Sequence, residues 1–177
     1  MRKSKMKIAI WGCIGVSLIA ALILVSAAQA GAETMKYNYT SQHTKMNFVV
    51  FPDVKGHVVG VFELRGLAFF ETEIAALEGV GTFDKIKPVV TFQGYILITF
   101  KDGSTITQKM QGSHAPPPGE KRHSYKGKGE YIKGTGRFEG IKGALSFTGI
   151  QITPVTKDKT KGDNWIQVTG TYTLPKK

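Results

Sequence analysis

Gly134-Thr135-Gly136-Arg137-Phe138-Glu139-Gly140-Ile141-Lys142-Gly143-Ala144-Leu145-Ser146-Phe147-Thr148-Gly149 decides how this chain is read. Gly134, Gly136, Gly140 and Gly143 surround one aromatic, Phe138, and an alternating run follows. Glycine supplies positive φ and close backbone approach. Gly134–Lys142 therefore reads as a sharp turn, with room for one short helical turn, and Gly143–Thr153 as a strand. Phe138, at the centre of the turn, is placed to plug the end of a barrel or sandwich.

Outward from this turn the pattern is strand after strand, each ended by Gly, Pro, Asn or Asp, with almost no helical periodicity. Strands are expected over Lys36–Val50, His57–Thr72, Glu73–Asp84, Val89–Phe100, Thr105–Gly112, Ser124–Lys133, Gly143–Thr153 and Asn164–Leu174. In His57–Thr72 the even positions Val58, Phe62, Leu64, Ala68 and Phe70 make an apolar inner face. The odd positions mix Glu63, Arg65 and Glu71 with Val59, Val61, Leu67 and Phe69. The next boundary is either a tight reversal near Thr72 or a short helix at Glu73–Glu78. Lys101-Asp102-Gly103-Ser104 reads as a two-residue type I′ hairpin turn. Pro116-Pro117-Pro118 cannot donate to a ladder and marks a loop. Eight antiparallel strands can close into a barrel that holds side chains or one small ligand. The expectation is an all-β, single eight-stranded closed or nearly closed barrel, with a two-sheet β-sandwich as the alternative.

The run Gly129-Glu130-Tyr131-Ile132-Lys133-Gly134-Thr135-Gly136-Arg137-Phe138 resembles the penultimate strand and turn of the allene oxide cyclase-like and dirigent-like β-barrels. The specific part covers about Gly127 to Gly149. The resemblance implies an eight-stranded barrel and assembly into a homo-oligomer, a trimer in that family. The apolar odd face of His57–Thr72 would then serve as an inter-subunit surface. No catalytic residue carries over.

The first thirty residues read as a secretory leader. Arg2, Lys3, Lys5 and Lys7 precede an apolar run from Ile8 to Val25, and Ala28-Gln29-Ala30 fits a small-x-small cleavage site. Ala32 is a second cleavage position, and an uncleaved membrane anchor is the rival reading. Cleavage after Ala30 leaves one domain of 147 residues, an exported or periplasmic protein without cysteine, since Cys13 leaves with the leader. That excludes disulfides, a cysteine nucleophile and a cysteine metal site. The remainder has twenty Lys+Arg against thirteen Asp+Glu, a net charge of +7, which favours anionic surfaces. Nucleic acid is not expected, because the basic residues are not interleaved with an aromatic platform.

No Ser-His-Asp set, phosphate loop, metal site or cofactor motif is legible. His43, His57, His114 and His123 are scattered, although His114 and His123 flank the proline loop. Phe62, Glu63, Arg65, Phe70, Phe92, Phe100 and Tyr172 are the candidate cavity-lining residues. The expected function is non-catalytic binding of a small apolar ligand or envelope component. Two alternatives stand beside it. One is an isomerase or cyclase using a carboxylate from Glu63, Glu71 or Glu73. The other is a surface-interaction protein docking the basic loops Lys121–Lys128 and Lys157–Lys161 on anionic polymer or lipid.

Overall fold

The computed structural model describes residues 31–120, 122–154 and 161–176. Residues 1–30, expected to be a leader, together with Lys121 and residues 157–160 of the expected basic loop, lie outside the described residues. Eight strands run in order: β1 (Glu33–Val50), β2 (His57–Phe69), β3 (Ile74–Ile86), β4 (Val89–Thr99), β5 (Thr105–Ala115), β6 (Ser124–Thr135), β7 (Lys142–Gln151) and β8 (Lys161–Thr173). Each pairs antiparallel with the next, and β8 pairs with β1, so the sheet closes into a barrel. Closure leaves no unpaired strand edge, and the sandwich alternative is set aside.

Parity decides which side chains enter the lumen. Even positions of β2 and β4 and odd positions of β3 and β7 point inward, which buries Ala68, Leu77, Ile98 and Phe147. β1 breaks the rule. A register shift between His43 and Lys45 moves its inward set from odd positions (Tyr37, Tyr39, Ser41) to even ones such as Met46, as one extra residue in a bulge must.

One end of the barrel is filled. Tyr37, Leu77, Ile98, Phe100, Ile106, Gln108, Tyr131 and Ile141 are buried there. The glycine turn caps this end as a 3-10 turn over Gly136–Phe138, with Gly136 at φ +61°. Phe138 stacks on Phe100 at 4.8 Å between centroids, and the Arg137 guanidinium lies over both rings at 4.6 and 4.9 Å. Arg137 also pairs with Glu73 and, at 3.5 Å, with Asp102. Phe138 therefore plugs a barrel end as the sequence implies.

Two local expectations resolve. The β2–β3 connection is the tight reversal, closed by the Phe70 N–H donating to the Glu73 carbonyl at 2.9 Å, and no helix forms at Glu73–Glu78. The Asp-Gly turn differs from expectation. Phe100 and Ser104 bracket a three-residue loop in which Gly103 takes φ +81°, and Gly103 N–H donates to the Phe100 carbonyl at 3.0 Å. This is the type I turn with a glycine bulge, not the two-residue I′ form. Asp102 favours it by accepting from the Ser104 N–H at 3.0 Å and the Ser104 hydroxyl at 3.0 Å.

Candidate functional site

The other end of the barrel is hollow. A cavity of about 400 Å³ opens where β2, β4, β6 and β8 begin, within the size range of ligand pockets, roughly 300–1,000 Å³. Its apolar wall is Phe62, Leu64, Phe83, Phe92, Phe147 and Ile166. Its polar groups are Ser41, His43, Lys85, His114, Tyr125, Gln151 and Asn164.

The hollow has a sequence cause. Aromatic side chains at inward positions normally meet in the middle of a barrel this size. Here several lie against glycines of neighbouring strands instead. A Cβ on Gly60 would come within 2.7 Å of the Phe83 ring, and one on Gly81 within 2.6 Å of the Phe62 ring. These rings take up the space that side chains on the glycines would fill, close against the wall.

The mouth of the cavity gathers basic groups. His114 and His123 face each other with Nδ1 atoms 2.6 Å apart, so one Nδ1–H donates to the other nitrogen's lone pair. Burial first, then the nearby His123, His43 and Lys85, push His114 down to about 3. Burial and Lys85 lower His123 as well. Both rings are thus neutral at physiological pH. His114 is flanked by the rings of Tyr125, at 4.5 Å, and Phe92, at 6.1 Å. The Asn164 side chain is buried, and its Oδ1 has no hydrogen-bond partner among the described residues. Among the described residues no Asp or Glu lines the cavity.

The expected lining residues divide by height along the barrel. Phe62 and Phe92 face the cavity. Phe70 and Phe100 point inward at the opposite, filled end, with ring centroids 5.0 Å apart and the planes tilted by 48°. Tyr172 is there too, half-buried against Tyr131, with its hydroxyl donating to Glu33 at 2.6 Å. Glu63 and Arg65 are corrected outright. They sit on the outer face, ion-paired to Lys45 at 3.4 Å and to Glu78 at 3.1 Å with more than half of each side chain exposed. Odd positions of β2 point away from the lumen, so neither can touch its contents. Glu71 is exposed in the reversal, and Glu73 is tied to Arg137 at the filled end. The carboxylate-based cyclase reading has no candidate in the cavity. The apolar odd face of β2 is on the outside, where Val61 and Leu67 are about half exposed.

Sequence reasoning missed Lys85, His43, Ser41 and Asn164. Lys85 was findable, since it extends the inward odd series of β3 beyond Phe83 and is the one charged residue on that face. His43 was not, because the β1 bulge begins beside it. Among the described residues no group of three His, Cys, Asp or Glu is arranged to hold a metal ion.

Just outside the mouth, His57 is buried between two carboxylates. Its Nδ1 is 2.6 Å from Asp53 and its Nε2 is 3.0 Å from Asp84, the latter contact too bent for a hydrogen bond. The Asp53 hydrogen bond raises the His57 pKa against the effect of burial. For Asp53, burial acts upward, but hydrogen bonds from His57 and the Val54 N–H hold it below the usual carboxylate range. A raised histidine pKa stabilises the fold fully below the unfolded value near ~6.5, and the effect is lost as pH rises through the folded pKa. A lowered carboxylate pKa sets the acid limit. The β1–β2 loop should therefore hold most firmly between about pH 4, the unfolded carboxylate value, and about pH 6. Amide exchange at Val54–Gly56, corrected for intrinsic rate, should show protection falling towards pH 9, and His57→Gln should flatten that dependence. A pH-independent loop in the unsubstituted protein would contradict the clasp.

No family model and no curated protein matches the sequence. Solved structures do. A pterocarpan synthase dirigent protein aligns over 84% of this chain and 98% of its own, with a TM-score of 0.51 and 15% identity. A conserved protein of unknown function from Rhodopseudomonas palustris aligns over 79% and 97%, with a TM-score of 0.52 and 11% identity. At such identities the likeness is one of fold, and the fold is that of the dirigent-like barrels.

Proposed function

We propose that this protein is an exported, non-catalytic barrel that holds a small apolar ligand, or the apolar part of an envelope component, in its hollow end. The single observation behind this reading is the asymmetry of the lumen. Side chains fill one end to closure, while rings set against glycines leave about 400 Å³ open at the other. Export is supported by the leader pattern of residues 1–30. The neutral dye Nile red should bind saturably with one site per barrel. Met46→Trp, which puts an indole into the lumen from its rim, should weaken that binding at least tenfold without lowering the unfolding temperature. Absence of saturable uptake by the unsubstituted protein would overturn the reading.

A second reading concerns the rim, where one observation favours docking on anionic lipid. The adjoining β1–β2 and β3–β4 hairpins expose Val49, Val50, Phe51, Val54, Ile86 and Val89, with Val50 two-thirds exposed. Lys55 and Lys87 lie among them, and Gly56 packs on the Lys87 stem. Apolar tips with flanking cations suit an anionic bilayer surface, and would open the cavity towards lipid. The protein should float with vesicles containing phosphatidylglycerol, less so in high salt, and Val50→Glu with Phe51→Glu should release it. Equal recovery with neutral and anionic vesicles would reject this reading.

A further inference from the structure

The cavity's charge pattern says more about its ligand than its size does. We infer that the ligand is an amphipathic anion, with a hydrocarbon or aryl body against Phe62, Phe83 and Phe92 and a carboxylate head at Lys85. This rests on the ligand-binding reading above and narrows it to a chemical class. Lys85 is an inward position of β3, paired in register with Val58 on one side and Val90 on the other. Both neighbours are aliphatic. Among the described residues Lys85 forms no ion pair, whereas Lys45, Arg65 and Arg137 each have a carboxylate partner. The Lys85 residue is only partly exposed, and with no Asp or Glu among the described lining residues the protein offers its ammonium no charged partner for whatever hydration it gives up. A ligand carboxylate supplies the missing partner.

The surroundings point the same way. His114 and His123 are both close enough to Lys85 to feel its charge, and His114 feels His43 as well. Among the described residues, an anion placed there meets the Lys85 ammonium and the neutral imidazoles of His114 and His123, and no lining carboxylate repels it. A cationic ligand would meet Lys85 unshielded. A neutral ligand would leave the ammonium unpaired. Of the three, only the anion gives the ammonium a partner, so the lumen selects by charge as well as by hydrophobicity.

Dodecanoate and dodecan-1-ol have the same chain and differ in charge, so displacement of Nile red by each separates head from tail. Dodecanoate should bind at least tenfold more tightly. Lys85→Met should reduce that preference below about threefold, and Lys85→Arg should retain it. Equal affinities for the two probes, or a preference that survives Lys85→Met, would overturn the inference and leave the apolar-ligand reading standing. If neither probe displaces the dye and the dye itself fails to bind, the ligand-binding reading falls first and takes this inference with it.

Discussion

Gly66→Ala is expected to destabilise the barrel by about 3 kcal/mol or more, and to lower the unfolding temperature by roughly 6–12 °C for a domain of this size. Gly66 points inward from β2 and pairs in register with Ser41 of β1. A Cβ there would lie 1.8 Å from the Thr40 carbonyl oxygen and 2.8 Å from both the Thr40 carbonyl carbon and the Ser41 Cα. All three are backbone atoms, so no rotamer change relieves the contact and β1 must move off β2. The β1 register shift follows within a few residues, so the close approach sits where the strand coils hardest. Gly103→Asn is the comparison. Gly103 has φ +81°, and a Cβ added there would meet nothing within 4 Å. Asparagine also tolerates that backbone region. The cost of this change should stay under about 1 kcal/mol. Urea denaturation of both variants tests the contrast. A Gly66→Ala protein as stable as Gly103→Asn would show that β1 is not pressed against β2 as described.

The same geometry explains what the sequence could and could not convey. Period-two alternation reports which face a residue occupies, because side chains alternate across a strand. It placed Phe62 and Phe92 inside and Val61 and Leu67 outside. It does not report height along the barrel. Phe70 and Phe62 share one face of β2, yet one packs in the filled end and the other borders the cavity. Height follows from strand pairing and shear, which involve residues far apart in sequence. Glu63 and Arg65 were assigned to the lumen for their chemistry and against their parity, and parity prevailed. The β1 bulge was invisible because its effect is a change of phase with no glycine or proline to announce it. The hollow itself was unreadable from composition, since Phe62 and Phe83 would fill the lumen if Gly81 and Gly60 opposite them carried side chains.

A hydrogen-bonded pair in the filled end should behave as a unit. Gln108 is fully buried and Tyr37 nearly so, and the Tyr37 hydroxyl lies 2.9 Å from the Gln108 Oε1 and 2.7 Å from its Nε2. Burial, above all, raises the Tyr37 pKa well beyond the phenol range, so the hydroxyl stays protonated. Tyr37→Phe strands the amide in an apolar interior, and Gln108→Leu strands the hydroxyl. Each should cost about 1–3 kcal/mol, the penalty for one buried partner left unsatisfied. Removing both removes the orphan, so the double variant should lie nearer the unsubstituted protein than either single one, a favourable coupling of at least about 1 kcal/mol. Tyr131 provides an internal reference. Its hydroxyl is buried without a partner among the described residues, so Tyr131→Phe should leave stability unchanged or raise it. Additive losses in the double variant, or a loss for Tyr131→Phe as large as for Tyr37→Phe, would mean that packing of the rings, and not pairing of the polar atoms, holds this end of the barrel together.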